Sequence, residues 1–161
     1  MRQYDRAIET ELRCIRRNPK IFWSHVILGW AYQQKGMHRE ALAELQEGVK
    51  LTKGMPFTLA AFGQALAAAG DSRGAENVLS QLHERARSVY VSAYDIALIH
   101  AALGDKDAAF RWLDTARQER SSFLPYVTWD RRADVLRSDP RFDQLLQQLG
   151  FRSGPAVRTS R

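Results

Sequence analysis

Four histidines, one cysteine and a recurring row of aromatic side chains are the residues of this sequence with chemistry to offer. His25, His38, His83 and His100 carry nitrogens suited to acid–base work or metal ligation, and Cys14 carries a thiol. Either task needs partners at short, fixed spacing. There is no paired-His zinc motif, no glycine-rich phosphate loop between a strand and a helix, and no nucleophile elbow. No set of nucleophile, base and orienting group assembles from these positions, so the sequence predicts no catalytic residue, no metal ligand, no cofactor and no enzymatic activity.

The aromatic row offers binding chemistry instead. Trp23, Val26, Trp30 and Gln34 stand at i, i+3, i+7 and i+11, the spacing of one helix face. Adding 34 gives Phe57, Ala60, Gln64 and Ala68, and adding it again gives Val91, Tyr94, Leu98 and Ala102. Three such rows in register would line an aromatic and apolar groove, the kind of surface that anchors a peptide.

The elements that must carry these rows recur with the same step. Gly36, Gly70 and Gly104 are 34 residues apart, as are Ala7, Ala41, Ala75 and Ala109. Leu28-Gly29 becomes Phe62-Gly63 and then Ile96-Ala97; Tyr32 becomes Leu66 and His100; Leu45 becomes Leu79 and Leu113. Each unit reads as a helix, a glycine stop and a second helix. The helices expected are 1–17, 22–35, 38–51, 56–69, 72–86, 90–103 and 106–118, with Pro56 at a first helical position and Asp71 as an N-cap. Gly29, Gly63 and Ala97 are expected to face Ala41, Ala75 and Ala109, small against small, so that helix axes approach closely.

A 34-residue period in which a large apolar residue and a small one are followed by an aromatic, Gly, Ala and a second large apolar residue resembles the tetratricopeptide repeat. The resemblance covers roughly residues 1–120. Glu11 replaces a large apolar residue of the second helix, and His25 and Leu59 stand in the usual tryptophan column. It implies an all-α, right-handed α-solenoid of antiparallel helix pairs, first helices lining the concave face. The organisation that follows is a partial repeat over 1–20, repeats over 22–55, 56–89 and 90–123, and a C-terminal cap over 124–150. A disordered tail is expected over 151–161. The family's clamp for a chaperone's C-terminal carboxylate uses Lys, Arg and Asn on the inner face. Here those columns hold Val26, Trp30, Ala61, Val91 and Asp95, so an apolar helix or extended segment is the expected ligand.

Composition bounds the remaining classes. With 161 residues, 45% of them hydrophobic, the chain can bury a core. No apolar run of membrane-spanning length and no secretory leader is visible, so a cytoplasmic address and no membrane contact are expected. The net charge of +6 does not imply nucleic acid. Residues 1–20 hold six bases and three acids and residues 151–161 three bases; removing these from the totals of 24 and 18 leaves fifteen of each in a neutral body. Cys14 falls in a packing column and is expected as a buried structural thiol. Arg39, Glu40, Glu44 and Glu47 have the spacing of a solvated face.

The leading functional reading is a protein–protein interaction module, a scaffold or regulatory arm that holds an apolar helix or extended peptide in its groove. The groove residues are Trp23, Val26, Trp30, Gln34, Phe57, Ala60, Gln64, Val91, Tyr94 and Leu98. A competing occupant is the chain itself, with Phe123, Leu124, Tyr126 or Trp129 folding back. The ending LRSDPRFDQLLQQLGF resembles that of bacterial tetratricopeptide segments that follow a Ser/Thr kinase, nucleotide cyclase or winged-helix domain, which makes a fragment of a signalling protein the alternative. Self-association through an exposed N-terminal helix is the third reading.

Overall fold

The computed structural model describes residues 2–151, and all the regular structure among them is helical. The tail expected over 151–161 lies, apart from Phe151, outside the described residues. Seven helices run in order: α1 (Arg2–Arg17), α2 (Phe22–Gln34), α3 (His38–Leu51), α4 (Pro56–Ala68), α5 (Ser72–Arg85), α6 (Ala93–Ala102) and α7 (Lys106–Gln118). Two short 3-10 helices, η1 (Leu124–Thr128) and η2 (Arg131–Leu136), and a last helix α8 (Pro140–Gln148) complete the chain.

The turn between paired helices is made the same way three times. Gly36, Gly70 and Gly104 have φ of +72°, +88° and +82°, where a side chain would be strained. At each, the residue that follows the glycine donates back across the turn: Met37 N–H to Tyr32 O, Asp71 N–H to Leu66 O and Asp105 N–H to His100 O, all at 2.9–3.0 Å. Asp71 and Asp105 then cap the following helices through Gly74 N–H at 2.8 Å and Ala108 N–H at 2.9 Å. The sixth helix starts at Ala93, three residues later than the expected Tyr90. Ser92 is the reason: its hydroxyl accepts from the Asp95 N–H and sets the cap there.

Pairs α2–α3, α4–α5 and α6–α7 pack internally, and α1 on α2, α3 on α4 and α4 on α6 join them into a continuous stack. Gly29 does face Ala41, whose carbonyl oxygen would lie 3.2 Å from an added Cβ, but the expectation of small against small is corrected in what fills the space at Gly29 and in the neighbour of Gly63. A Cβ at Gly29 would lie 2.5 Å from Leu45 Cγ, and one at Gly63 would lie 2.5 Å from Val78 Cγ1 and 3.2 Å from Ile99 Cδ1. The missing side chain makes a hole that a branched side chain of the neighbouring helix fills, which keeps the packing dense while the axes stay close.

Glu44 departs from its sequence reading, while His25 keeps the packing position of its column. His25 is buried, with Nδ1 2.7 Å from Glu44 Oε2 and Nε2 3.0 Å from Pro19 O, so Glu44 is tied across the α2–α3 pair and is not a free solvated acid. Cys14 is half-buried, not buried, because α1 packs chiefly on α2 and none of its described residues is fully enclosed.

The cap extends the last repeat's core. Leu124, Val127, Ala133, Leu136, Phe142 and Leu145 are buried in one cluster with Ala97, Leu98 and Leu113. Arg141 fastens α8, bonding Asp139 at 2.8 Å and Asp107 of α7 at 2.7 Å while its guanidinium lies 4.4 Å from the Phe110 ring centre.

Candidate functional site

The first helices of the repeats and the two 3-10 helices face one another across a cavity of about 480 Å³. The repeats contribute Trp23, Trp30, Gln34, Phe57, Tyr94 and Asp95 to its lining, the cap contributes Phe123, Tyr126, Trp129, Asp130, Arg131 and Arg132, and α1 contributes Tyr4. The rings touch in sequence. Trp23 meets Phe57 edge-on at 5.0 Å, Trp30 meets it at 6.0 Å, and Phe57 stacks on Phe123 at 6.3 Å. From Phe123 the chain of rings continues to Tyr126 at 6.2 Å and to Trp129 at 5.5 Å. These are ordinary separations for attractive ring pairs, so the aromatic arc is held by its own contacts.

Five of the ten residues expected to line the groove thus come together: Trp23, Trp30, Gln34, Phe57 and Tyr94. The other five face elsewhere. Val26 and Ala60 sit about 60° round the helix from Trp23 and Phe57, since three residues turn an α-helix through about 300°. That rotation points them at the neighbouring helices, and both are buried in the core. Gln64 is buried between α2 and α4, where its side-chain oxygen accepts from Gln33 Nε2 at 3.1 Å. Leu98 lies under the cap, in one cluster with Leu124 and Leu136, and Val91 precedes α6 and packs against the α4–α6 core.

A polar knot sits beneath the rings. The Tyr94 hydroxyl donates to Asp130 Oδ2 at 2.9 Å, and Arg132 donates to the same carboxylate through Nη2 at 2.7 Å, Nε at 3.0 Å and its backbone N–H at 2.9 Å. The Arg132 guanidinium lies 4.4 Å from the Trp30 ring centre, a cation–π contact that joins cap to repeat. Burial alone would raise the Asp130 pKa, but the hydrogen bonds and charge of Arg132 hold it below the usual carboxylate range. Burial raises the Tyr94 phenol, so it stays a donor.

Asp95 has the opposite balance. It is 8% exposed and burial pushes its pKa up to about 6, against the charge of Arg132 and a hydrogen bond with Ser92 that both lower it. At the rim, exposed Arg131 donates to Tyr4 Oη at 3.1 Å, and an ion pair between Lys35 and Asp5 ties α1 to the α2–α3 turn.

The sequence reading passed over Tyr4, Asp130, Arg131 and Arg132 and noted Asp95 only as a departure. A signal was present: an acid in the otherwise apolar AYDIALIHAA of α6, and the charged triplet Asp130-Arg131-Arg132 directly after an aromatic-rich segment.

Fold and groove together define a helical-repeat protein with an aromatic cleft between its repeat helices and its cap. The family model for the tetratricopeptide repeat matches residues 24–54, which hold most of α2, the Gly36 turn and all of α3. That match supports reading residues 24–54 as a tetratricopeptide repeat. The fold is an all-α repeat solenoid. No curated protein matched the chain in a search by sequence. Repeats of this family generally mediate protein–protein interaction. No helix among the described residues is long and apolar enough to cross a membrane.

Proposed function

We propose that this chain is a scaffold or regulatory arm that holds an apolar helical or extended segment of another protein in the cleft between α2, α4 and the cap. The observation that carries the reading is the unbroken row of rings from Trp23 to Trp129 around an open cavity of about 480 Å³. Trp23, Phe123, Tyr126 and Trp129 are among the exposed large hydrophobic side chains, at 44–68%. Gathered on one cleft, rigid aromatics of this kind supply contact area at low entropic cost, as binding hot spots do. The cap's aromatics, expected as a competing occupant, form the second wall of the cleft; only Leu124 is buried beneath it. A pull-down from a native lysate or a peptide display selection, followed by calorimetric titration of the best ligand, tests the reading. Trp23→Ala should weaken that ligand by about 2 kcal/mol or more, roughly thirtyfold in Kd, with little change in melting temperature. A ligand equally well bound by Trp23→Ala and Phe123→Ala would show that the cleft is not its site.

A further inference from the structure

We infer that the cleft takes a cationic side chain, a lysine ammonium or arginine guanidinium on an otherwise apolar peptide, with the Asp95 carboxylate as its counter-ion. The inference deepens the peptide-binding reading and rests on it. Asp95 lines the cavity, is more than nine-tenths buried, and forms no ion pair within 4.0 Å among the described residues. The cation whose field reaches it, Arg132, is already bonded to Asp130 through three N–H groups and stacked on Trp30. A buried carboxylate held by a hydrogen bond with Ser92 but by no ion pair is still costly, and a ligand cation entering the cavity supplies the charge partner. The walls favour the same sign. Trp23, Phe57 and Phe123 line the same cavity as Asp95, and an aromatic face attracts a cation that has been stripped of water.

The other charges do not reverse this. Arg131 is at the rim, with a side chain 62% exposed and close to Asp134, while Asp130 is neutralised by Arg132. The deepest uncompensated charge is therefore negative. An anionic ligand would have to approach Asp95 itself.

The test uses three six-carbon probes of equal apolar content, n-hexylammonium, hexan-1-ol and hexanoate, titrated into the full chain at about pH 7.5, where Asp95 is ionised. Indole N–H signals of Trp23, Trp30 and Trp129 report the cleft, and Trp112, which packs beside His83 away from it, is the internal control. Hexylammonium should bind roughly tenfold more tightly than hexanol, with hexanoate weakest, as one close charge pair with cation–π support provides. In Asp95→Asn the preference for the cation should vanish while hexanol binding stays within about twofold. Equal binding of ammonium and alcohol, a preference for hexanoate, or an Asp95→Asn variant that keeps the preference would each overturn the inference and leave the apolar cleft standing. If none of the three probes moves the cleft indoles, the peptide-binding reading falls with it. Should Asp95→Asn fail to fold, Trp23→Ala carries the test: loss of ammonium affinity of about threefold beyond that of hexanol supports the inference, and an equal loss of both overturns it.

Discussion

The two walls of the cleft are built on different principles. The repeat wall stands on α2, α4 and α6, whose positions are set by dense apolar packing at Gly29, Gly63 and Ala97, so its rings are placed by many small contacts. The cap wall stands on two 3-10 helices and is fastened to the repeats by a shared core and by one polar knot, Tyr94–Asp130–Arg132 over Trp30. The wall made of repeats should therefore resist local damage, and the wall made by the cap should fail at a single residue. The cleft is then a joint between a face held by packing alone and one held by packing and a polar knot.

The largest expected effect breaks the cap side. Arg132→Ala leaves the Asp130 carboxylate buried without its cation and uncovers Trp30, and removing one partner of a buried pair costs about 3–5 kcal/mol. Hydrogen exchange should show η1 and η2 losing protection while α2–α5 keep theirs. Uniform loss across the repeats would erase the distinction between the walls.

Next comes a pair of carboxylates that should respond to pH with opposite sign. The pKa of Asp95 is raised from 3.8 to about 6, so between these values the folded state binds the extra proton and stability falls as pH rises. The pKa of Asp130 is lowered, so its contribution is present above 3.8 and is lost as pH falls through its folded value. Asp95→Asn should accordingly stabilise the chain at neutral pH, by on the order of 2–3 kcal/mol, and do little near pH 4. Urea melts of both proteins across this range check the sign. A variant less stable at neutral pH would mean that Asp95 is satisfied inside the fold.

The repeat side is probed by Gly63→Leu. Any side chain there meets Val78 and Ile99, forcing α4 from α5 and α6, at a cost of about 1–3 kcal/mol. Its melting temperature should drop as one cooperative step, unlike the local loss expected for Arg132→Ala. The smallest effect on stability is expected at Trp129, which is 68% exposed: Trp129→Ala should stay within about 0.5 kcal/mol of the parent while still weakening a bound peptide.

The sequence by itself determined what is local and periodic. The positive-φ glycines, the Asp71 and Asp105 caps and the 34-residue recurrence of apolar columns act over a few residues each, so the helices and their pairing were legible with ends good to one to three residues. Of the aromatic stripe, Trp23, Trp30 and Phe57 were legible as groove residues, but a stripe fixes only an angle about one helix axis. How far Val26, Ala60 and Leu98 turn inward depends on what packs beside that helix, which no column of the repeat encodes. The cap and the charges beneath it were decided by tertiary structure alone. Tyr94 and Asp130 are 36 residues apart, and Arg131 reaches Tyr4 across 127, with no period to relate them. Such contacts arise only when an irregular segment finds the surface on which its buried charges Asp130 and Arg132 are paired, and that surface exists only once the repeats have stacked.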